Sequence, residues 1–420
     1  MVIRIQDPAE LRIRAGQLDA VIDSLVKSAV DAGILRVLFY PSIEAAHAAL
    51  ILARNVERYG VNVSVHSSSA LPEKIDEPTL LIGYSKIWTK KKVSVSDVLV
   101  CIGDAVIEPP PPNGTCIEVK SSIGTAVAAV LSGRLPFNEQ LLRASYIAPY
   151  TSGLFVNPSS FWDIDKAFLE DAVSSKLLKR IESYYTYAPI AYDVVNSISN
   201  TLEPYLPGFT GTPKNVYDEL RYRNKQVLAG KNAENMEFDE KKEVLDIIMT
   251  RITEHAKSKI SAETLSGILY YYPSGHDLLT ASKVLVYTTI KENSFTPFYR
   301  FLEEPILFTE HYMREYEKDM AEIAEQVRRT MARHERLDVL RWLSIYKVNT
   351  NSPETLHIIG YNLRFYGLIP SDAFVASEDE HGLYTTLPEI ERTVGKQVIS
   401  RLERVDAGKI DGLKIRLNVS

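Results

Sequence analysis

Short apolar runs alternate with helical periodicity over the first third of the chain. Residues 35–40 (Leu-Arg-Val-Leu-Phe-Tyr) form a buried-strand run, and 61–66 (Val-Asn-Val-Ser-Val-His) alternate with the period of two of a strand. Between them, 44–59 place Ala45, Ala46, Ala49, Leu50 and Leu52 along one side, which predicts a packed helix. Residues 79–84 and 98–102 are two more apolar runs, and 116–119 is a shorter one. Residues 123–131 (Ile-Gly-Thr-Ala-Val-Ala-Ala-Val-Leu) predict a small-residue helix able to lie close to a sheet. Strands alternating with helices predict βαβ units and a mostly parallel sheet. Unbroken apolar strands agree, because parallel strands are covered on both faces. The prolines at 109–112, followed by Asn113 and Gly114, predict a surface loop.

From about 138 to 310 the pattern turns helical and irregular, with charged amphipathic stretches at 215–229 and 234–259, punctuated by Gly230 and the 204–213 segment. Met313, Tyr316, Met320, Ile323, Val327 and Met331 then recur at three- and four-residue spacing, predicting one long helix over 309–340. Thr309, Glu310 and Glu315 give it an acidic start. Alternation returns afterwards: a strand at 342–348, a helix at 352–366, and a strand pair at 373–376 and 383–386 turning at 380–382. The fold class expected is α/β: an N-terminal domain over 1–205, a helical region over 206–308, a connecting helix over 309–341 and a smaller α/β domain over 342–420.

Composition narrows the function classes. In 420 residues no run approaches the ~18 apolar residues of a membrane span. The N-terminus lacks the basic, apolar and small-residue order of a secretory signal. Cys101 and Cys116, the two cysteines, both sit in strand-like apolar runs, which predicts buried thiols and a reducing compartment. Their number rules out a cysteine-based zinc site. A formal charge of -6 excludes general coating of nucleic acid, so any such contact needs a local basic patch. Two patches stand out. Lys86, Lys90, Lys91 and Lys92 surround Trp88, a basic loop with an aromatic able to stack a base. Arg328, Arg329, Arg333, Arg336 and Arg341 lie on and after the long helix, with Arg329, Arg333 and Arg336 at helical spacing.

The element order, with eroded motifs along it, resembles the DHH phosphoesterase superfamily with its DHHA1 domain, across essentially the whole chain. That superfamily's first motif is a strand ending in His-x-Asp-x-Asp-Gly before a small-residue helix. Here residues 37–39 lead into Tyr40 at the His, Ser42 at the first Asp, Glu44 at the second and Ala45 at the Gly. The second motif, an Asp at a strand tip, falls on Gly83. The third, Asp-His-His, falls on Gly103, Asp104 and Ala105. A further Asp position falls on Ala148, Pro149 and Tyr150. The Gly-Gly-Gly-His loop of the C-terminal domain is absent, and His381-Gly382 come too early to replace it.

The resemblance implies chemistry by two Mn²⁺ or Mg²⁺ ions that activate water and clamp phosphoryl oxygens. Such hard ions need several oxygen ligands in fixed geometry. Only Glu44 and Asp104 stay acidic at matched positions, so no catalytic residue, no metal and no cofactor are expected. Within the superfamily the chain resembles the Cdc45 family, inactive relatives of the RecJ single-strand exonucleases, in its archaeal type. That implies a non-catalytic DNA replication factor, a scaffold for the GINS complex and the MCM helicase. It also implies GINS contact on residues 342–420, single-stranded DNA as a residual ligand, no membrane association and a cytoplasmic, nucleoid-associated location.

Two alternatives stay open. One is a diverged single-strand nuclease or oligonucleotide phosphodiesterase with a relocated metal site on Glu44, Asp104 and His47. The other is a nucleic-acid or nucleotide sensor of another α/β family. Elsewhere, Ser274-Gly-His276-Asp277 predicts a turn and a helix cap. The 121–125 segment (Ser-Ser-Ile-Gly-Thr) predicts a capped helix start where a phosphate could also bind. His255, His311, His334 and His357 stand at non-ligand spacings.

Overall fold

The computed structural model describes residues 1–84, 94–103, 114–132, 139–151, 160–257, 259–340, 343–393, 397–404 and 408–418. It divides into two compact units. The first holds Met1–Phe155, Ser160–Ser175 and Phe298–Pro305, and the second holds Lys176–Pro297 and Ile306–Ser420.

In the first unit the elements run β1 (Val2–Ile5), α1 (Pro8–Ile13), α2 (Ala15–Ala32), β2 (Ile34–Phe39), α3 (Ile43–Val56) and β3 (Asn62–Ser67). Next come β4 (Lys74–Ile75), β5 (Thr79–Ile82), β6 (Ser94–Val95), β7 (Leu99–Gly103) and β8 (Gly114–Val119). The helices α4 (Ile123–Ser132), α5 (Glu139–Ser145), α6 (Ala148–Thr151) and α7 (Asp163–Ser174) follow. Six strands pair in the order β1-β8-β7-β5-β2-β3, every pair parallel. The central strands β5 and β7 are buried at every residue, as expected of strands covered on both faces. The edge strand β3 keeps exposed positions. The sequence pattern did not single out β1 or α2. β1 pairs with β8, more than a hundred residues away. The 18-residue α2 ends in Gly33, whose φ of 70° suits a residue without Cβ.

The second unit begins with β9 (Lys179–Tyr184), α8 (Val194–Ser199), α9 (Pro213–Tyr222), α10 (Phe238–Thr253), β10 (Ser266–Tyr271) and α11 (Leu278–Lys291). Helix α12 (Thr296–Glu303) returns mostly to the first unit; the second continues with α13 (Pro305–Ala332), β11 (Glu335–Leu340), β12 (Leu343–Lys347), α14 (Leu356–Phe365) and β13 (Phe374–Asp379). The last elements are β14 (Gly382–Thr386), α15 (Leu387–Thr393), α16 (Gln397–Arg404), β15 (Gly408–Asp411) and β16 (Lys414–Leu417). Six strands pair in the order β11-β12-β13-β14-β16-β15, with β12 and β13 parallel and the other pairs antiparallel. The 138–310 region, read as helical, also contains the antiparallel pair β9–β10.

The long helix differs from its expected span. It starts at Pro305, whose fixed φ suits a first helical position, not at Thr309. It stops at Ala332, and 335–340 form strand β11 against β12. Its expected inner row is buried: Met313, Tyr316, Met320, Ile323 and Val327 lie in one core with Ile359, Leu363 and Val375, and Met331 packs beside it. Asp277 caps α11, its carboxylate accepting from the Thr280 amide at 2.8 Å, as the sequence predicted.

Buried ions tie the helical part of this unit to its sheet. Arg392 on α15 donates to the Glu203 carboxylate at 2.5 Å, and the Lys283 ammonium lies 3.8 Å away. Burial alone would raise the Glu203 pKa, but Arg392 and Lys283 outweigh it and hold the carboxyl down at about 2. Beside it, Arg364 forks onto Glu389 at 2.6 and 3.0 Å. Gly360 leaves room for that carboxylate, since an added Cβ would collide with both of its oxygens. Asn362 accepts from the Tyr205 amide at 2.6 Å, and the Tyr366 hydroxyl donates to the Tyr205 carbonyl at 2.6 Å.

Removing one partner of a buried pair leaves the other charge uncompensated. Glu203→Gln should therefore cost roughly 3–5 kcal/mol of unfolding free energy in urea titrations at pH 7. A depressed carboxyl pKa contributes stability that is complete above the unfolded value of 4.5 and is lost as pH falls toward 2. The wild-type advantage should shrink over that window, and a variant as stable as the wild type at pH 7 would contradict the assignment.

Candidate functional site

The matched motif positions gather at the carboxyl ends of the central strands, where open α/β sheets usually place their ligands. Tyr40 follows β2, is buried and meets Tyr84 edge-on at 5.9 Å. Ser42 caps α3, its hydroxyl accepting from the Ala45 amide at 3.0 Å. Glu44 lies in the first turn of α3 and accepts from the Ile123 amide, the first residue of α4, at 2.6 Å. Gly83 follows β5 with φ of 74°, a conformation that favours glycine. A Cβ there would sit 2.7 Å from the Ala45 Cβ and 3.1 Å from Ile123 Cδ1. Gly103 ends β7. Asp104 and Ala105 lie outside the described residues.

The start of α4 has a second acidic partner. The Ser122 amide donates to both Asp165 oxygens at 3.2 Å, and the Ser122 hydroxyl oxygen lies 2.8 Å from Asp165 Oδ1 and from Thr125 Oγ1. Asp165 reaches this helix end from α7, across 43 residues. Burial pushes its carboxyl up to about 6, against hydrogen bonds from Thr125, Ser122 and the Trp162 backbone. The helix end that could have held a phosphate therefore carries two of the protein's own carboxylates, which satisfy its free amides and oppose its positive dipole end.

Packing closes the same place. Gly124 faces Ala148, where an added Cβ would lie 2.6 Å from the Ala148 Cβ. The same Cβ would lie 3.6 Å from His47 Nδ1. His47 is fully buried beside Phe298, 5.4 Å between ring centres. Burial pulls its pKa down to about 3, with the Ala144 backbone opposing, so the ring stays neutral at physiological pH. Of the residues named for a relocated site, Glu44 and His47 both face α4, but Glu44 is engaged by an amide and His47 has no exposed surface. Among the described residues no three His, Cys, Asp or Glu side chains converge on a point able to hold a metal.

The basic patches fare differently. Lys86, Trp88, Lys90, Lys91, Lys92 and Arg341 lie outside the described residues. The arginine stripe is not one helical face. Arg329 is on α13, Arg333 follows its end and Arg336 is on strand β11. Arg328 and Arg329 both bind Glu325, at 2.7 and 2.6 Å. Arg333 instead lines a groove of about 680 Å³ with His334, Glu335, Lys347, Asn349 and Glu378. Sequence reasoning missed Asp165, whose partners are remote in the chain.

No protein-family profile matches the sequence, and no curated protein matches it. Solved structures do. The class is the mixed α/β architecture of a parallel-sheet unit followed by a helical region and a C-terminal sheet. Within that class the chain has a Cdc45-like fold. It is similar to the crystal structure of CDC45 from Entamoeba histolytica with a TM-score of 0.68 and 9% identity, over 99% of this chain and 96% of that one. At the level of fold, this bears out the resemblance read from the motifs. Exonuclease RecJ bound to manganese aligns at TM-score 0.40 and 10% identity, over 96% and 90% of the two chains. RecJ in complex with Mn²⁺ from Thermus thermophilus aligns at 0.42 and 9%, over 100% and 60%. No helix among the described residues is long and apolar enough to cross a membrane.

Two measurements check this account of the site. Gly83→Asp restores an acid at a matched position but adds a side chain at positive φ against Ala45. It should cost about 2–4 kcal/mol of stability in urea unfolding, and unchanged stability would contradict the packing described. For Asp165 the raised pKa means the folded state keeps a proton that the unfolded chain has lost, so its contribution to stability falls as pH rises from about 4 to about 6. The stability of Asp165→Asn relative to wild type should move in the variant's favour by about 2–3 kcal/mol between pH 4 and pH 7. A gap independent of pH would contradict it.

Proposed function

We propose that this chain is a non-catalytic DNA replication factor of the Cdc45 type, a scaffold that binds the GINS complex and the MCM helicase and contacts single-stranded DNA within that assembly. The observation that carries the reading is the hydrogen bond from the Ile123 amide to Glu44. The acid most able to serve as a metal ligand in the first motif caps a helix of its own fold. Ser42 and Gly83 support the same reading, one spent on a cap and the other fixed by backbone and packing. A fold similar to CDC45 over 99% of the chain accompanies these changes. A fold kept while its ligand positions are reused for stability suits a protein whose surface, rather than a reacting centre, does the work.

GINS contact is assigned by this proposal to residues 342–420, and single-stranded DNA contact to Arg333 and to the basic residues Lys86, Lys90, Lys91 and Lys92 with Trp88. Truncation is a poor test of the first assignment, because removing Arg392 would leave the buried Glu203 without its nearest cationic partner. Mixing the full chain with purified GINS should instead give one co-eluting complex, with lysine-directed cross-links to Lys347, Lys409 or Lys414. Separate elution, or cross-links confined to the first unit, would overturn the proposal.

A further inference from the structure

One pair of reactive side chains has no part in the site or its proposed function. Cys101 on β7 and Cys116 on β8 are register partners on adjacent parallel strands. Registered partners project to the same face of a sheet, and adjacent strands are about 4.8 Å apart, inside the backbone span a disulfide bridges. Their sulfurs are aimed at each other, with Sγ atoms 2.6 Å apart, and both residues are buried. They are also the chain's two cysteines, so neither has another thiol in the molecule to pair with.

We infer that Cys101 and Cys116 are a disulfide-forming pair, a cross-strand staple in the parallel sheet that an oxidant of the small-molecule disulfide class closes. In the reaction, one cysteine loses its proton and its sulfur attacks the oxidant RSSR. That step gives a mixed disulfide and one RSH. The second cysteine, deprotonated in turn, attacks the protein sulfur of the mixed disulfide and releases a second RSH. Two protein thiols are oxidised, RSSR is reduced to two RSH, and both thiol protons end on the released RSH.

The surroundings set when this happens. The neighbouring Cys116 and burial both push the Cys101 thiol well above its usual range, which suppresses the thiolate needed for attack. Closure therefore takes place while the sheet is open, during folding, and the buried bond is afterwards shielded from reductants. The staple spans 15 residues of chain and holds β7 to β8, whose other neighbour is the edge strand β1. Cross-linking across such a loop constrains the unfolded chain more than the folded one.

The full chain should be refolded from denaturant with oxidised glutathione, then denatured and treated with N-ethylmaleimide for intact mass measurement. The expected product takes up no maleimide and is about 2 Da lighter than the reduced chain, which takes up two. The oxidised form should melt roughly 6–10 °C above the reduced form. The double variant Cys101→Ser with Cys116→Ser should show no redox-dependent shift. If the variant does not fold, the wild-type comparison still decides. Two alkylated thiols after oxidative refolding, or an oxidised form no more stable than the reduced one, would overturn the inference.

Discussion

The first unit depends on how closely α3 and α4 approach each other over the ends of the sheet. Glycine at 83 lets the end of β5 lie against Ala45 of α3, and glycine at 124 lets α4 lie against Ala148 of α6; an added Cβ would meet those side chains at 2.7 and 2.6 Å. The approach of α3 to α4 brings Glu44 within 2.6 Å of the first amide of α4. A helix end buried in this way must have its amides satisfied, and desolvating them unpaired would cost about 1–3 kcal/mol each. Glu44 and Asp165 answer that need. Glu44 from α3 and Asp165 from α7 are both engaged at the start of α4.

The second unit is organised by a different constraint, the compensation of buried charge. Glu203, Arg392 and Lys283 form one set and Arg364 with Glu389 another. Each charge would be prohibitive alone, and together they fix how α15 and the chain at Glu203 meet. Buried tyrosines extend the same logic. Tyr187 and the half-buried Tyr192 share the Glu317 carboxylate, and Tyr287 donates to Asp319 at 2.7 Å, so the polar ends of these rings are satisfied.

Much of this was legible in the chain because it is local. The apolar runs at 79–84 and 98–102 and the small-residue stretch at 123–131 became β5, β7 and α4, since burial on two faces writes a continuous signal. The hairpin of β13 and β14 is legible as a strand pair turning at 380–382. What failed is non-local or ambiguous. β1 is defined by its pairing with β8, and β9 by β10 more than eighty residues on. The stretch after Ala332 carries apolar positions that fit a helix as well as a strand, and its pairing with β12 decided between them. That error produced an arginine stripe that the fold divides between helix and strand. In the site, the partner that engages Glu44, the Ile123 amide 79 residues on, is not legible in the sequence.

The proposal of a non-catalytic chain rests on the motif face of the first unit being taken up by the protein's own caps and packing. Incubation of the purified full chain with end-labelled single-stranded oligonucleotide and Mn²⁺ or Mg²⁺ tests it directly. The account predicts no cleavage above the protein-free control with either ion. Metal-dependent cleavage that disappears in Glu44→Gln would contradict it.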